Sequence, residues 1–249
     1  MKTALITGAT SGIGKATAET LAPNHRLILC GRRAEKLNEV AQELSKVTEV
    51  TTLTFDVSHK EETFAAINSL PQQWQHVDVL VNNAGNAHGL ASFQEADIND
   101  LEAMIDINVK GVIYVTKAVL PLMMPNHSGH IVNLSSIAGK ETYQNGTVYC
   151  ASKAAVEALS KGMRLDLLTS GIKVTNIAPG AVETEFSVVR FKGDKEKADQ
   201  VYKGYTPLVA QDIANAIAYA VNQPEHVQIA DMTVFPKAQA GPSAFNKKV

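Results

Sequence analysis

Two cysteines in 249 residues argue against a disulfide framework. Cys30 falls in an apolar, strand-like run and Cys150 in a helical one, so a reducing, cytoplasmic setting is expected. An excess of one charge is also missing. The 23 Lys and Arg against 25 Asp and Glu leave a formal net charge of -2, which implies neither nucleic acid nor an anionic membrane as a partner. No apolar run looks long enough to span a bilayer, and neither a basic leader nor a signal peptide is visible. Internal repeats and low-complexity tracts are absent. The histidines His25, His59, His76, His88, His127, His130 and His226 are scattered, none at a metal-ligand spacing, so no metal is expected.

What is present is ordinary for a globule with a real core: 45% apolar and 19% charged residues. The length suits one large α/β domain or two small ones. Strand-like runs at residues 2–7, 26–30, 50–55, 77–81, 129–134, 173–178 and 229–235 alternate with helical patterns. The helical patterns fall at 15–21, 34–45, 61–70, 98–124 (two stretches), 147–168 and 211–222. Residues 181–205 have no clean periodicity and carry many charges, which suggests a lid. The tail after Pro236 reads as loosely ordered, and as frayed from Gly241.

The first strand ends in Thr7-Gly8-Ala9-Thr10-Ser11-Gly12-Ile13-Gly14, and a helix follows. A strand, a glycine-rich turn and a helix N-terminus are the parts of a phosphate cradle, although the spacing is G-x-x-x-G-x-G rather than G-x-G-x-x-G. The alternative is a structural turn. After the second strand stand Gly31-Arg32-Arg33, with no carboxylate to repel a 2′-phosphate and two guanidiniums to bind it. They could equally be a solvated helix start. Asp56-Val57 closes the third strand. Asp56 can accept from an adenine amine or start the next helix, for which Ser58 is the better cap. Asn82-Asn83-Ala84-Gly85 follows the fourth strand, where the amides could brace the turn or be ordinary turn chemistry. Asn108 and Gly111 interrupt apolar helical sequence, as a kink or a functional amide. Ser136 ends the fifth strand, thirteen positions before Tyr149.

Tyr149 and Lys153 lie four apart in a helical pattern and so share a face. At about 4 Å and an effective dielectric of about 20, an ammonium favours a phenolate by roughly 4 kcal/mol, about three pKa units. That would bring the phenol into the range of a general acid/base. A Y-x-x-x-K also occurs often by chance, so the case depends on the other motifs.

Together and in order, Thr7-Gly8-x-x-x-Gly12-x-Gly14, Asn82-Asn83-Ala84-Gly85, Asn108, Ser136, Tyr149-x-x-x-Lys153 and Pro179-Gly180 resemble the short-chain dehydrogenases/reductases across residues 3–235. The run 189–194, Pro207-Leu208 and the 229–236 ending are similar to the NADP-dependent 3-hydroxy acid dehydrogenases among them. One departure is Ser135, where some members have Gly before the serine. The resemblance implies a single doubly wound Rossmann domain with a seven-stranded parallel sheet and helices on both faces. It implies NADP as cofactor, held by Gly8, Thr10, Ser11, Gly12, Ile13, Gly14, Arg32, Arg33, Asp56, Val57, Asn83, Ala84, Gly85, Tyr149, Lys153, Pro179, Gly180, Val182 and Thr184. Tyr149 would exchange the proton, Lys153 would lower its pKa and bind the nicotinamide ribose, Ser136 would donate to the substrate oxygen, and Asn108 would hold a water linked to Lys153. A substrate carboxylate would meet Arg190 or Lys192. Homo-oligomers, tetramers or dimers, built on the helices from Gly111 and Thr147 are implied as well. A broad carbonyl reductase or a 3-oxoacyl-carrier reductase is the alternative within the class. A dinucleotide sensor is the alternative outside it, although sensors tend to lose the Tyr or the Lys.

Overall fold

Strands buried on both faces read as near-continuous apolar runs, and the central runs come close to this, as in residues 4–6, 27–30 and 79–81. In a computed structural model that describes residues 1–248, the strand-like runs form one all-parallel sheet. Its strands are β1 (Lys2–Thr7), β2 (His25–Gly31), β3 (Val50–Thr54), β4 (Val79–Asn82), β5 (Gly129–Leu134), β6 (Ile172–Pro179) and, at the far edge, β9 (Asp231–Val234). The order is β3-β2-β1-β4-β5-β6-β9, seven strands as expected. The short strands β7 (Val182–Glu183) and β8 (Leu208–Val209) pair separately, which the sequence did not suggest. The strand order reverses between β1 and β4, so a crevice opens there at the carboxyl ends of the strands.

Register places Ile28, Leu5, Leu80, Ile131 and Val174 side by side across five strands, all buried completely. Burying each such side chain contributes about 1.5–3 kcal/mol. Against this face pack α3 (Lys60–Asn68) and α5 (Gly111–Met123) through Ile67, Val115, Val119 and Met123. The opposite face carries Ala4, Ile6, Leu27 and Leu29. It is covered by α1 (Gly12–Leu21), α2 (Ala34–Leu44) and α9 (Ala210–Val221) through Leu21, Leu37, Ile213 and Ile217. Two residues beyond the apolar row, Asn82, Asn133, Asn176 and Asp231 stand in register as a polar row under the crevice. Thr116 on α5, and Ser160 and Glu157 on α6 (Thr147–Asp166), hydrogen-bond it from above.

Three expectations need correction. The run Ile98–Asn126 is long and apolar enough to cross a bilayer by length and composition. It consists of α4 (Ile98–Ile105), a π-turn at Asp106–Lys110, α5 and a 3-10 turn at Met124–Asn126, and the apolar face of α5 belongs to the core described above. The stretch 181–205 is not irregular: it holds α7 (Glu185–Arg190) and α8 (Lys195–Gln200). These helices are too short for six-residue stretches to reveal a period. The tail is tied down rather than frayed. Gln239 Oε1 accepts from Ala181 N at 2.8 Å, Lys248 N donates to Gly204 O at 2.7 Å, and the Phe245 and Tyr205 rings lie 5.0 Å apart.

Candidate active site

Everything at the crevice hangs on the end of β1. Thr7 Oγ1 accepts from the backbone N–H groups of Asn83 and Ala84, both at 3.0 Å, and Asn83 Nδ2 donates to Thr7 O at 2.9 Å. The asparagine therefore braces the glycine-rich turn against the end of β4, one of the two roles its position left open. A Cβ on Gly14 would sit 2.2 Å from Gly8 O, so only glycine lets α1 start this close to β1. Ser11 occupies the N-cap of α1 without a side-chain cap, leaving the first-turn N–H groups free to face an anion.

The resulting cleft is about 460 Å³. Gly8, Thr10, Ser11, Gly12, Ile13, Arg32, Arg33, Asp56, Val57, Asn83, Ala84, Gly85, Ser136, Tyr149, Lys153, Pro179, Val182 and Thr184 all line it. Four expected residues do not. Gly14 is a packing residue, and Gly180 is pressed against the tail, where a Cβ would lie 2.4 Å from Gln239 Oε1. Asn108, 1% exposed, lies behind the wall. Its Oδ1 accepts from Asn86 N at 2.9 Å and its Nδ2 donates to Asn86 O and Ser152 Oγ, so the amide is engaged in bracing its surroundings. The interruption read at Asn108 and Gly111 is there, as the π-turn. Arg190 lines a smaller pocket of about 40 Å³ on the other side of Tyr149, with His88 and Asn145. The sequence reading missed Asn86, Glu185, Phe186 and Val189 in the cleft. The only local signal was that Asn86 follows Gly85 directly.

At the far end of the cleft the two arginines diverge. Arg32 pairs with Asp56 at 2.9 Å. Asp56 also accepts from the N–H and hydroxyl of Ser58; the helix N-cap is His59, not Ser58, and its ring bonds Glu62 rather than capping the backbone. Burial would raise the Asp56 carboxyl, but the Ser58 and Arg32 hydrogen bonds hold it below the usual range. Arg33 donates through Nη2 to Thr10 Oγ1 and Ser11 Oγ.

At the near end, consecutive residues of extended chain face opposite ways. Ser135 turns into the polar row and bonds Glu157, while Ser136 turns into the cleft, its Oγ accepting from Ala138 N at 3.1 Å. Tyr149 and Lys153 share the buried face of α6, with Lys153 Nζ 6.0 Å from the ring centroid. Their pKa directions differ from the sequence expectation. Burial pushes the Tyr149 phenol up, and the nearby Ser136 hydroxyl and Arg190 charge offset this only in part. Burial pulls Lys153 down to about 8. Lys153 is 6% exposed, and its ammonium donates to Leu134 O at 3.0 Å. Desolvation wins because both groups leave water.

Arg190 sits 5.3 Å from the Tyr149 ring, donates to Tyr143 Oη at 2.6 Å and to Gly89 O at 3.3 Å. Lys192, the other cation considered for a carboxylate, is paired with Asp100 at 2.8 Å. Phe186 of α7 packs on Tyr149 with ring centroids 5.8 Å apart.

Comparison with known proteins bears on this geometry. A family model described as short chain dehydrogenase matches residues 2–195. An NADP-dependent 3-hydroxy acid dehydrogenase of Schizosaccharomyces pombe is 44% identical over 251 residues, covering 99% of this chain and 97% of its own. Sulfoacetaldehyde reductase 2 of Chromohalobacter salexigens is 44% identical over 238 residues, covering 95% and 94%. Among solved structures, the closed form of serine dehydrogenase complexed with NADP+ superposes with a TM-score of 0.92 at 40% identity, over 98% of both chains.

Proposed function

The chain belongs to the short-chain dehydrogenases, and we propose that it is an NADP-dependent oxidoreductase of small 3-hydroxy acids, interconverting the 3-hydroxyl and the carbonyl. The observation that carries the reading is one cleft with Ser136, Tyr149 and Lys153 at one end and Arg32 and Arg33 at the other. The relatives' names support the cofactor and substrate class.

The residues fit the cofactor. The uncapped N-terminus of α1 suits a pyrophosphate. Gly85 keeps the wall open, since a Cβ there would lie 3.2 Å from Lys153 Nζ. Arg33, Thr10 and Ser11 offer a guanidinium and two hydroxyls to a 2′-phosphate. When bound, NADP supplies the hydride chemistry. The chain's residues do the rest. Tyr149, kept protonated by burial, gives its proton to the carbonyl oxygen in reduction and takes it back in oxidation. Ser136 donates to the same oxygen as charge develops on it. Lys153, charged below about pH 8, favours the phenolate that proton transfer leaves. Besides Lys153, Arg190 is the cation beside Tyr149 available to a substrate acid group, a carboxylate or, as the sulfoacetaldehyde relative suggests, a sulfonate.

A second reading, a broad carbonyl reductase, draws on one observation: Arg190 stands outside the cleft lining, engaged with Tyr143 and Gly89. A turnover assay separates the two. NADPH formation is followed with L-serine, L-allo-threonine, 3-hydroxypropionate and uncharged secondary alcohols. Turnover confined to the acids is the expected result; equal turnover of neutral alcohols would favour the carbonyl reductase.

A further inference from the structure

Glu185, the first residue of α7, has no part in the reading above, yet it lines the cleft at its cationic end. Its Oε2 is 3.1 Å from Arg33 Nη1 and its Oε1 3.6 Å from Lys36 Nζ. The other terminal guanidinium nitrogen, Nη2, donates to Thr10 Oγ1 at 2.8 Å and Ser11 Oγ at 2.9 Å. Cations and hydroxyls around one anion are the donor set that recognises a phosphate monoester. Here the chain supplies the anion itself, from the other side of the cleft. Thr184 fixes the start of α7 as its N-cap, accepting from Phe186 N at 3.3 Å. Burial would raise the Glu185 carboxyl, but its bonds to Arg33 and Ser11 and the charges of Arg33 and Lys36 hold it below the usual range. It is therefore ionised at neutral pH.

We infer that Glu185 is a specificity-determining residue for the cofactor: its carboxylate competes with an adenosine 2′-phosphate for Arg33, and ties α7 to the turn after β2 until that phosphate displaces it. The inference rests on the NADP reading. A dianionic phosphate placed against Arg33 meets a like charge already seated there, which weakens its binding. NAD+ has only uncharged ribose hydroxyls at that position and meets neither the repulsion nor the competition. Glu185 thus narrows the preference that Arg33 creates. Because the same six-residue helix carries Phe186 against Tyr149, exchange of the ion pair also bears on the substrate end.

The test measures dissociation constants of NADP+ and NAD+ for the full chain by titration calorimetry, in the wild type, Glu185→Gln, Arg33→Ala and the double variant. Glu185→Gln is expected to bind NADP+ about three- to tenfold tighter, or about 0.7–1.4 kcal/mol at 1.4 kcal/mol per decade, with NAD+ unchanged. The gain should vanish in the Arg33→Ala background and shrink at about 0.5 M salt, where exposed charges are screened. Unchanged or weaker NADP+ binding, an equal gain for NAD+, or a gain that persists without Arg33 overturns the inference. A wild type that prefers NADP+ alongside an unresponsive Glu185→Gln sinks only this inference. A wild type with no preference for NADP+ sinks the cofactor reading and this inference with it.

Discussion

Tyr149 and Lys153 answer the same burial in opposite senses, because desolvation always disfavours whichever form is charged. For Tyr149 this keeps the proton on the acid. Tyr149→Phe removes it without changing shape, and turnover is expected to fall by about 10²–10⁴, while NADP+ titration remains saturable; undiminished turnover would remove Tyr149 from the mechanism. For Lys153 the consequence is a cost to the fold. Its folded pKa, about 8, lies below the unfolded 10.5, so the unfolded state binds more protons between those values and stability rises with pH across that window. Below pH 8 the full cost, roughly 3 kcal/mol at 1.36 kcal/mol per unit, is present. Lys153→Met should therefore be inactive yet more stable than the wild type at pH 7, less what the bond to Leu134 O contributed. The gain should shrink as pH rises from 8 to 10.5. Urea denaturation across that range checks it, and a pH-independent difference would contradict the burial argument. None of this was legible in the motif. Y-x-x-x-K specifies a shared helix face, whereas the sign of the shift depends on how much water the neighbouring elements exclude.

The elements that the sequence placed well are those whose signal is local. The strand at Gly129–Leu134 has the expected bounds, and α2, α6 and α9 differ from expectation by one or two residues at their ends. The break at Asn108 was visible as two poor helix formers, Asn108 and Gly111, in apolar sequence, and it is a π-turn. The tail was misread because its anchors are distant. Gln239 holds Ala181 at the start of the 181–205 stretch, expected to act as a lid, and Lys248 and Phe245 hold Gly204 and Tyr205 at its end. Deleting residues 240–249 removes the aromatic pair and the backbone bond, together about 2 kcal/mol. For a chain of this size that corresponds to a fall in Tm of about 4–8 °C, and KM for the substrate should rise as the lid loses its far anchor. Calorimetry and steady-state kinetics test both; an unchanged Tm would mean that the tail does not hold the lid.

For the whole molecule, the cleft spans the sheet's switch point and draws walls from both halves of the chain, so a ligand that fills it ties the halves together. NADP+ at about 100 times its Kd should stabilise the fold by about 2.7 kcal/mol, a rise in Tm of about 5–11 °C. NAD+ at the same concentration should do less, and Arg33→Ala should reduce the difference. Equal shifts from the two cofactors would count against Arg33 as the phosphate ligand. Ala151, Ala154, Ala158 and Leu165 are exposed along α6, with Leu168 just beyond it, a face that self-association would cover. We expect the chain to sediment as a dimer or tetramer, and Ala158→Arg to shift it toward monomer; a wild type that sediments as a monomer would refute this. The sequence by itself determined the seven strands and, through the order and spacing of its motifs, the family whose resemblance implied a parallel sheet, because strand runs and motif glycines act over a few neighbouring residues. Only the tertiary structure decided that Glu185 sits on Arg33, that Tyr143 holds Arg190, and that burial sets the titration of Tyr149 and Lys153. Those are properties of contacts between distant residues and of the water they displace, which no local pattern of side chains encodes.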